Sequence, residues 1–127
     1  MSNEKYWLEI ASYDLKTADA MLNSKRFLYV GFMCHQSIEK ILKGIYSKKF
    51  NKIPPKIHNI ARILKLVELD DDIPNDFIEL INELNPLNIV TRYPDQELDI
   101  IKNLDFKYSS KLLERTRRLF QWFEQKL

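Results

Sequence analysis

Glycine is scarce in this sequence of 127 residues. Only two glycines occur, Gly31 and Gly44, and both lie inside one apolar stretch with helical spacing. Because tight β-hairpin turns depend on glycine for backbone conformations with positive φ, a chain with so few glycines has little turn chemistry for a sheet of hairpins. The sequence therefore predicts an all-α protein.

Cysteine and long apolar runs are also lacking. The one cysteine, Cys34, cannot form a disulfide within the chain, so nothing indicates secretion. No apolar run approaches the roughly 20 residues that span a bilayer, and the acids Glu4, Glu9 and Asp14 come too early for a signal peptide. We expect a cytoplasmic protein that makes no contact with membranes.

The length and the composition predict a single folded domain over residues 1–127. A hydrophobic content of 45% is enough to bury a core at this length, so disorder is not expected. We expect neither a metal nor a cofactor. The one run of carboxylates, Asp70-Asp71-Asp72, lacks the spacing and the glycine of a calcium loop and is typical of a solvated turn.

The net charge of +2 conceals oppositely charged segments. Residues 24–65 contain ten basic residues and one acid, whereas residues 66–105 contain eleven acids and two basic residues. The last segment, residues 106–127, is basic again. Such poles can steer a charged ligand to one side of the protein or pair two copies of it, and they are also compatible with ordinary solvated faces.

The stretch at residues 26–49 predicts a helix at the centre of a bundle, because apolar residues cover more than one of its faces. The main stripe contains Phe27, Val30, Cys34, Ile38, Ile41 or Leu42, and Ile45. Polar residues interrupt the helix in an ordered way and are the first candidates for function. They are His35, Gln36, Glu39, Lys40 and Lys43.

A first helix is predicted from a cap at Ser2 or Asn3 to about residue 23, and the short link at residues 23–25 should fold it back on the central helix as an antiparallel hairpin. Its inner stripe is Trp7, Ile10, Ala11, Leu15, Ala18, Met21 and Leu22. Asp14 lies on the edge of this stripe, where it either pairs with a neighbouring helix or contacts a ligand.

After the prolines at positions 54 and 55, a short third helix is predicted to begin near His58 or Asn59 and to end near Val67. A histidine at this position can cap the helix or contact an anion. A fourth helix is predicted to begin at Pro74 and to be limited by Pro86.

A loop with an unusual composition follows at residues 88–99. Arg92 and Tyr93 precede Pro94, which favours an extended backbone at Tyr93, and Asp95 can accept hydrogen bonds from the following amides. These residue types either bind a phosphate or a nucleobase through charge and stacking, or lock the loop against the bundle.

A last helix is predicted at residues 106–126. Its inner face contains Leu112, Leu113, Thr116, Leu119, Phe120 and Phe123. Arg115, Arg117 and Arg118 flank this face and are compatible with either RNA binding or a solvated surface. Because the last and central helices carry more apolar residues than one small bundle needs, we expect a symmetric homodimer.

Four segments, taken in order along the chain, carry a resemblance to a known family. They are Trp7, Ala11, Asp14-Leu15 and Ala18; His35-Gln36-Ser37-Ile38-Glu39-Lys40 with Leu42-Lys43; His58; and Arg92-Tyr93-Pro94-Asp95. The second segment is similar to the pattern Q-x-x-E-K-x-L-K. Together the four segments resemble HEPN domains, a family of small all-α proteins, over nearly the whole chain.

The resemblance implies an up-and-down bundle of four to five helices that dimerises. Members of this family are often encoded beside a minimal nucleotidyltransferase, as toxin and antitoxin. Many are RNases in which an arginine is followed, after four to six residues, by a histidine, and two copies of this motif meet across the dimer interface. The resemblance thus implies a homodimer, a minimal nucleotidyltransferase as partner, and nucleotide or RNA as ligand.

The RNase motif is incomplete in this sequence. Arg92 matches its arginine, but residues 97–99, where the histidine should stand, are Glu, Leu and Asp, and no arginine precedes His35 or His58 at that spacing. Histidine is the side chain that both accepts and donates protons near neutral pH. The fold would have to bring His58 to Arg92, or an acid would have to replace the histidine.

Three interpretations follow, and we favour the first. In the first, a non-catalytic or weakly catalytic HEPN protein binds nucleotide or RNA and partners a minimal nucleotidyltransferase. In the second, a metal-independent RNase uses Arg92 with His58 or an acid, and in the third the chain is a structural dimerisation module. The ligand-contacting residues of the first interpretation are Asp14, Gln36, Glu39, Lys40, Lys43, Arg92, Tyr93 and Asp95.

Overall fold

The computed structural model describes residues 3–92 and 102–127, and within these ranges the chain is helical without a strand. The helices are α1 (Glu4–Asn23), α2 (Phe27–Phe50), α3 (Ile60–Leu66), α4 (Asn75–Arg92) and α5 (Phe106–Glu124). The helix α2 lies at the centre and packs against all the others. The predicted all-α fold is confirmed.

The first two helices form the predicted antiparallel hairpin. The link between them turns at Lys25, which adopts a left-handed conformation with φ of 60°. At the far end, the backbone N–H of Asn3 donates a hydrogen bond of 2.9 Å to Ser47 Oγ near the end of α2. Asn3 holds the N-cap position of α1 as predicted, although its side chain makes no capping hydrogen bond.

The core surrounds α2 on several faces, as its apolar pattern predicts. The residues Val30, Cys34, Ile38 and Leu42 are completely buried. Burial raises the pKa of the Cys34 thiol to about 12, while a hydrogen bond with Thr116 and the charge of Arg117 oppose the shift. This cysteine is therefore a protonated, inert core residue.

Asn59, rather than His58, caps α3. The Asn59 Oδ1 atom accepts a hydrogen bond of 3.2 Å from the backbone N–H of Arg62. Asn85 of α4 supports the same helix end, because its Oδ1 accepts a hydrogen bond of 2.8 Å from the backbone N–H of Ile60. The ring of His58 is consequently available for another contact.

The predicted end of the fourth helix at Pro86 is wrong. The helix α4 continues through this proline to Arg92, so the predicted loop begins at least five residues too early. A proline inside a helix removes one hydrogen bond and costs about 3 kcal/mol. Burial of Leu84 and Leu87, on either side of the proline, offsets this cost and holds the helix together.

The helix α5 begins at the cap residue Asp105, whose Oδ1 accepts a hydrogen bond of 2.8 Å from the N–H of Tyr108. The six residues of its predicted inner face are all buried: Leu112, Leu113, Thr116, Leu119, Phe120 and Phe123. The arginines that flank this face pair with carboxylates: Arg115 with Glu83 at 2.7 Å, Arg117 with Asp19 at 2.7 Å, and Arg118 with Glu114 at 2.6 Å. Arg115 and Arg117 therefore connect α5 to α4 and α1, whereas Arg118 pairs within α5.

Alanine substitutions at the two glycines of α2 are expected to have different effects on stability. A Cβ added at Gly44 would lie 3.0 Å from Trp7 Cβ, which cannot move without displacing α1. A Cβ added at Gly31 would come too close to the end of the Leu87 side chain alone, at 2.9 Å from Cδ1, while Leu87 Cβ would lie at an ordinary contact distance of 3.6 Å. We expect Gly44→Ala to lower the free energy of unfolding by about 1–2 kcal/mol.

Gly31→Ala is the matched control. Its gain in helix propensity of about 1 kcal/mol should compensate the repacking of Leu87, leaving stability close to the wild type. Urea denaturation of both variants measures the difference. Equal stabilities would show that α1 and α2 do not approach as closely at Gly44 as the structure indicates.

Candidate functional site

The centre of the site is the carboxylate of Glu39, which is completely buried on α2. Lys43 Nζ, one helical turn further along, lies 3.0 Å from Glu39 Oε2 and donates a hydrogen bond to it. His35 Nδ1, one turn earlier, lies 3.8 Å from Oε1. The i, i+4 spacing of these three residues on one helix brings them together.

His58 completes this centre from outside α2. Its Nδ1 atom lies 3.2 Å from both carboxylate oxygens of Glu39. Since a carboxylate only accepts hydrogen bonds, Nδ1 carries a proton in this contact, and the other ring nitrogen lies on the opposite edge of the ring. The His58 side chain is 51% exposed, so Glu39 orients an imidazole that solvent and ligands can reach.

The buried charges explain why this arrangement is stable. An isolated carboxylate inside a protein is strongly unfavourable unless opposite charges and hydrogen bonds compensate it. Lys43, whose side chain is only 8% exposed, supplies the opposite charge, and His58 supplies a further hydrogen bond. Glu39 therefore links the core of α2 to the segment that precedes α3.

A cleft of about 430 Å³ opens beside His58. Asn85, Pro86 and Asn88 of α4 form one wall, and His58 and Asn59 form the other. Its volume falls within the range of small-molecule sites. Glu39 lies behind the imidazole, so the arrangement combines an oriented histidine with a cavity that can admit a ligand.

Asp14 of α1 lies near Lys40 and Glu39 of α2, and Gln36 lies on α2 between His35 and Glu39. Partial burial raises the pKa of Asp14; the charge of Lys40 opposes the shift and that of Glu39 adds to it. Gln36 Oε1 is buried and receives no hydrogen bond from the described residues. The structure thus brings Asp14 of α1 close to Lys40 and Glu39 of α2, and their predicted role in contacting a ligand stays a prediction.

The pKa of Asp14 gives a pH-dependent prediction. A carboxyl group whose pKa is raised on folding favours the folded state while it is protonated and loses that contribution as pH rises through the folded pKa. We therefore expect Asp14→Asn to stabilise the protein at pH 7, and the gain to disappear below about pH 3. Urea denaturation of the wild type and of Asp14→Asn between about pH 3 and pH 7 measures the difference in their free energies of unfolding. A gain that persists at low pH would show that the raised pKa of Asp14 is not its cause.

Arg92 is the last residue of α4. It follows Asn85 and Asn88 at a spacing of seven and four residues, which places the three positions on the same side of the helix. Tyr93 and Asp95 lie outside the described residues, as do residues 97–99. The structure therefore brings His58 next to the helix that carries Arg92, and the roles assigned to Arg92, Tyr93 and Asp95 remain predictions.

The cleft residues Asn59, Asn85 and Asn88 were not among the predicted ligand contacts. Asn85 and Asn88 flank Pro86, where the sequence predicts the end of the helix. Their spacing of three residues would have been a usable signal if the helix had been continued through the proline.

We also searched the described residues for a metal site and for a helix that could span a membrane. Within residues 3–92 and 102–127, no group of three or more His, Cys, Asp and Glu side chains is arranged to hold a metal ion. None of the helices in the same ranges has an apolar stretch long enough to cross a lipid bilayer.

Comparisons with known proteins agree on the fold. The structure is similar to the crystal structure of TT1696 from Thermus thermophilus, with a TM-score of 0.86, 26% sequence identity and 100% coverage of both chains. It is also similar in fold to ST0689, an archaeal HEPN homologue, with a TM-score of 0.75, 21% identity, and coverage of 99% of this chain and 98% of that chain. No curated protein sequence matches the chain significantly.

The family assignment rests on the sequence as well as on the fold. The model of the HEPN domain matches residues 4–126. This range includes α1 to α5 and the centre around Glu39, in agreement with the resemblance carried by the short motifs. The chain belongs to the HEPN domain family.

Proposed function

We propose that this HEPN domain binds nucleotide or RNA beside His58, with little or no cleavage, as a homodimer that pairs with a minimal nucleotidyltransferase. The observation that carries the proposal is the imidazole of His58, which the buried carboxylate of Glu39 holds at the edge of a cleft. A fixed, half-exposed imidazole next to a cavity is suited to contact a ligand rather than to fill a core.

The charge of the surrounding chain favours an anionic ligand. The centre lies within residues 24–65, where ten basic residues accompany a single acid, Glu39. That acid is buried and paired with Lys43, so it contributes little negative charge to the surface. Lysines and arginines on the surface attract phosphates over a distance of about 8 Å at physiological salt.

The proposed homodimer is supported by aromatic residues that the single chain leaves exposed. Tyr6 is 57% exposed, Tyr13 is 73% exposed and Phe106 is 55% exposed. Contacts between two copies would shield such residues. Sedimentation of the purified protein should give the mass of two 15.2 kDa chains; a monomer at all concentrations would contradict this part.

The nucleotidyltransferase partner follows from the family resemblance of the central helix and of the segment beginning at Arg92. Its test is direct. A minimal nucleotidyltransferase encoded beside this chain should co-purify with it when the two are produced together. Separate elution of the two proteins would contradict the pairing while leaving ligand binding open to its own test.

Ligand binding is tested by titrating a fluorescently labelled single-stranded RNA with the protein. We expect His58→Ala and Arg92→Ala each to weaken binding about tenfold, because each removes a charge-assisted or polar contact. Arg118→Ala is the matched control, because Arg118 is exposed on α5 and paired with Glu114 of its own helix. Absence of binding, or equal affinities for all variants, would contradict the proposal.

Two observations favour an RNase as a second candidate function. Glu39 holds His58 as carboxylates hold the catalytic histidines of many hydrolases, and Arg92 occupies the same side of α4 as the cleft residues. This candidate predicts cleavage of RNA in EDTA that is lost in both Arg92→Ala and His58→Ala. Intact RNA with the wild-type protein, or cleavage by either variant, would exclude it.

A further inference from the structure

Among the described residues, the cleft beside His58 is lined by neutral polar groups rather than by permanent charges. Three of the five lining residues that the structure describes are asparagines, and Pro86 contributes an apolar ring. Neither lysine nor arginine lines it among the described residues. Phosphate sites in proteins use cations and clustered backbone N–H groups, so the cleft itself is better suited to an uncharged ligand with hydrogen-bonding edges.

Two of the asparagines are fixed in place. Asn85 Oδ1 accepts a hydrogen bond of 2.8 Å from the Ile60 N–H, and Asn85 Nδ2 donates one of 3.3 Å to Asn59 Oδ1. Asn59 Oδ1 in turn accepts from the Arg62 N–H. These bonds hold both carboxamides rigid at the cleft and leave the Nδ2 group of Asn59 without a hydrogen bond to the described residues.

Asn88 differs from the other two. It is only 7% exposed, and its Oδ1 atom is buried without a hydrogen bond from the described residues. A buried acceptor without a donor is costly and uncommon in folded proteins. Because the torsion about the Cβ–Cγ bond of asparagine is broad, a small rotation would turn this carboxamide to a ligand in the cleft.

We propose that the cleft is a nucleobase-binding subsite, in which Asn88 hydrogen-bonds an N–H group on the base edge. This inference rests on the proposed nucleotide or RNA binding and specifies where the base lies. The base edge also meets the fixed carboxamides and the outer edge of the His58 ring, and the Pro86 ring covers part of its face. Single-stranded RNA is commonly recognised by such contacts to unstacked bases.

The charge pattern separates the base from the phosphate. The described part of the cleft, which carries no permanent charge, takes the base, while basic residues outside it attract the phosphate. Lys56 and Arg62 are exposed on either side of His58 and Asn59 in the chain, and Arg92 follows Asn88 by four residues. In this arrangement, the hydrogen bond from the base to Asn88 determines how much the base adds to the affinity of the phosphate.

The test compares ligands with and without a base. Calorimetry measures the affinities of the adenosine, cytidine, guanosine and uridine 5′-monophosphates and of ribose 5-phosphate for the wild type. Asn88→Leu replaces the carboxamide by an apolar group of similar size. Asn82→Leu, the same change at an exposed position of α4, is the matched control.

We expect at least one nucleotide to bind about tenfold more tightly than ribose 5-phosphate to the wild type and to Asn82→Leu. In Asn88→Leu this difference disappears. Removal of a buried, unbonded acceptor should leave the melting temperature of Asn88→Leu unchanged or raise it by about 4 °C.

Three results would overturn the subsite. In the first, ribose 5-phosphate binds the wild type as tightly as the nucleotides do. In the second, Asn88→Leu still binds a nucleotide more tightly than ribose 5-phosphate. In the third, Asn88→Leu has both a lower affinity and a lower melting temperature, which would indicate a structural role for Asn88. RNA binding by the wild type in these cases would leave the proposed function intact. Failure of RNA and of all five small ligands to bind would overturn the proposed function and the subsite together.

Discussion

Glu39→Ala is expected to lower the free energy of unfolding by about 3–5 kcal/mol, because it leaves the buried ammonium of Lys43 without its partner. The Glu39 carboxylate is completely buried, and Lys43 Nζ lies 3.0 Å from it with only 8% of the side chain exposed. His58 loses its hydrogen-bond acceptor in the same variant. Urea denaturation followed by circular dichroism measures the change.

The reference variant removes both charges together. Replacing a buried ion pair by apolar residues of similar volume is often neutral or stabilising, so Glu39→Leu combined with Lys43→Met should be clearly more stable than Glu39→Ala. A loss below about 1 kcal/mol in Glu39→Ala would show that the centre is not desolvated and that Glu39 does not hold His58 in place.

Pro86→Ala is expected to raise the free energy of unfolding by about 2 kcal/mol. The proline lies inside α4, where it lacks the N–H that would bond to the carbonyl of Asn82 and carries an unfavourable helix propensity of about 3 kcal/mol relative to alanine. We expect less than this full difference because the partly buried ring of Pro86 loses its packing in the variant.

Pro74→Ala is the control for Pro86→Ala. Pro74 directly precedes α4, where the missing N–H has no partner in the helix, so the same replacement should be neutral or destabilising by less than about 1 kcal/mol. Equal effects at the two positions would contradict the account of α4. Since the Pro86 ring lines the cleft, the stabilised variant should also bind nucleotide less tightly than the wild type.

The helices could be predicted from the sequence because their apolar residues recur at helical spacing. The pattern of α2 correctly indicated a helix surrounded on several sides, and the short link after Asn23 correctly indicated an antiparallel hairpin. The polar residues of α2 were also identified, since Glu39 and Lys43 stand one turn apart within an otherwise apolar stretch.

The contacts between distant segments could not be predicted in the same way. Local propensity favours an end of α4 at Pro86, and the burial of residues such as Leu84 and Leu87 against the rest of the bundle overrides it. The contact between Glu39 and His58 joins residues 19 positions apart through an irregular segment, for which no periodicity exists. The wall of the cleft that His58 forms could therefore not be predicted, although the spacing of Asn85 and Asn88 was a usable signal for the other wall.

Binding of the ligand beside His58 is tested most directly by proton NMR of the histidine rings. The protein has two histidines, so His58→Ala assigns both sets of ring signals. Titration with short single-stranded RNA or nucleotide should shift the signals of half-exposed His58 in proportion to the bound fraction. Binding that leaves the His58 ring signals unchanged would place the ligand elsewhere and contradict the account.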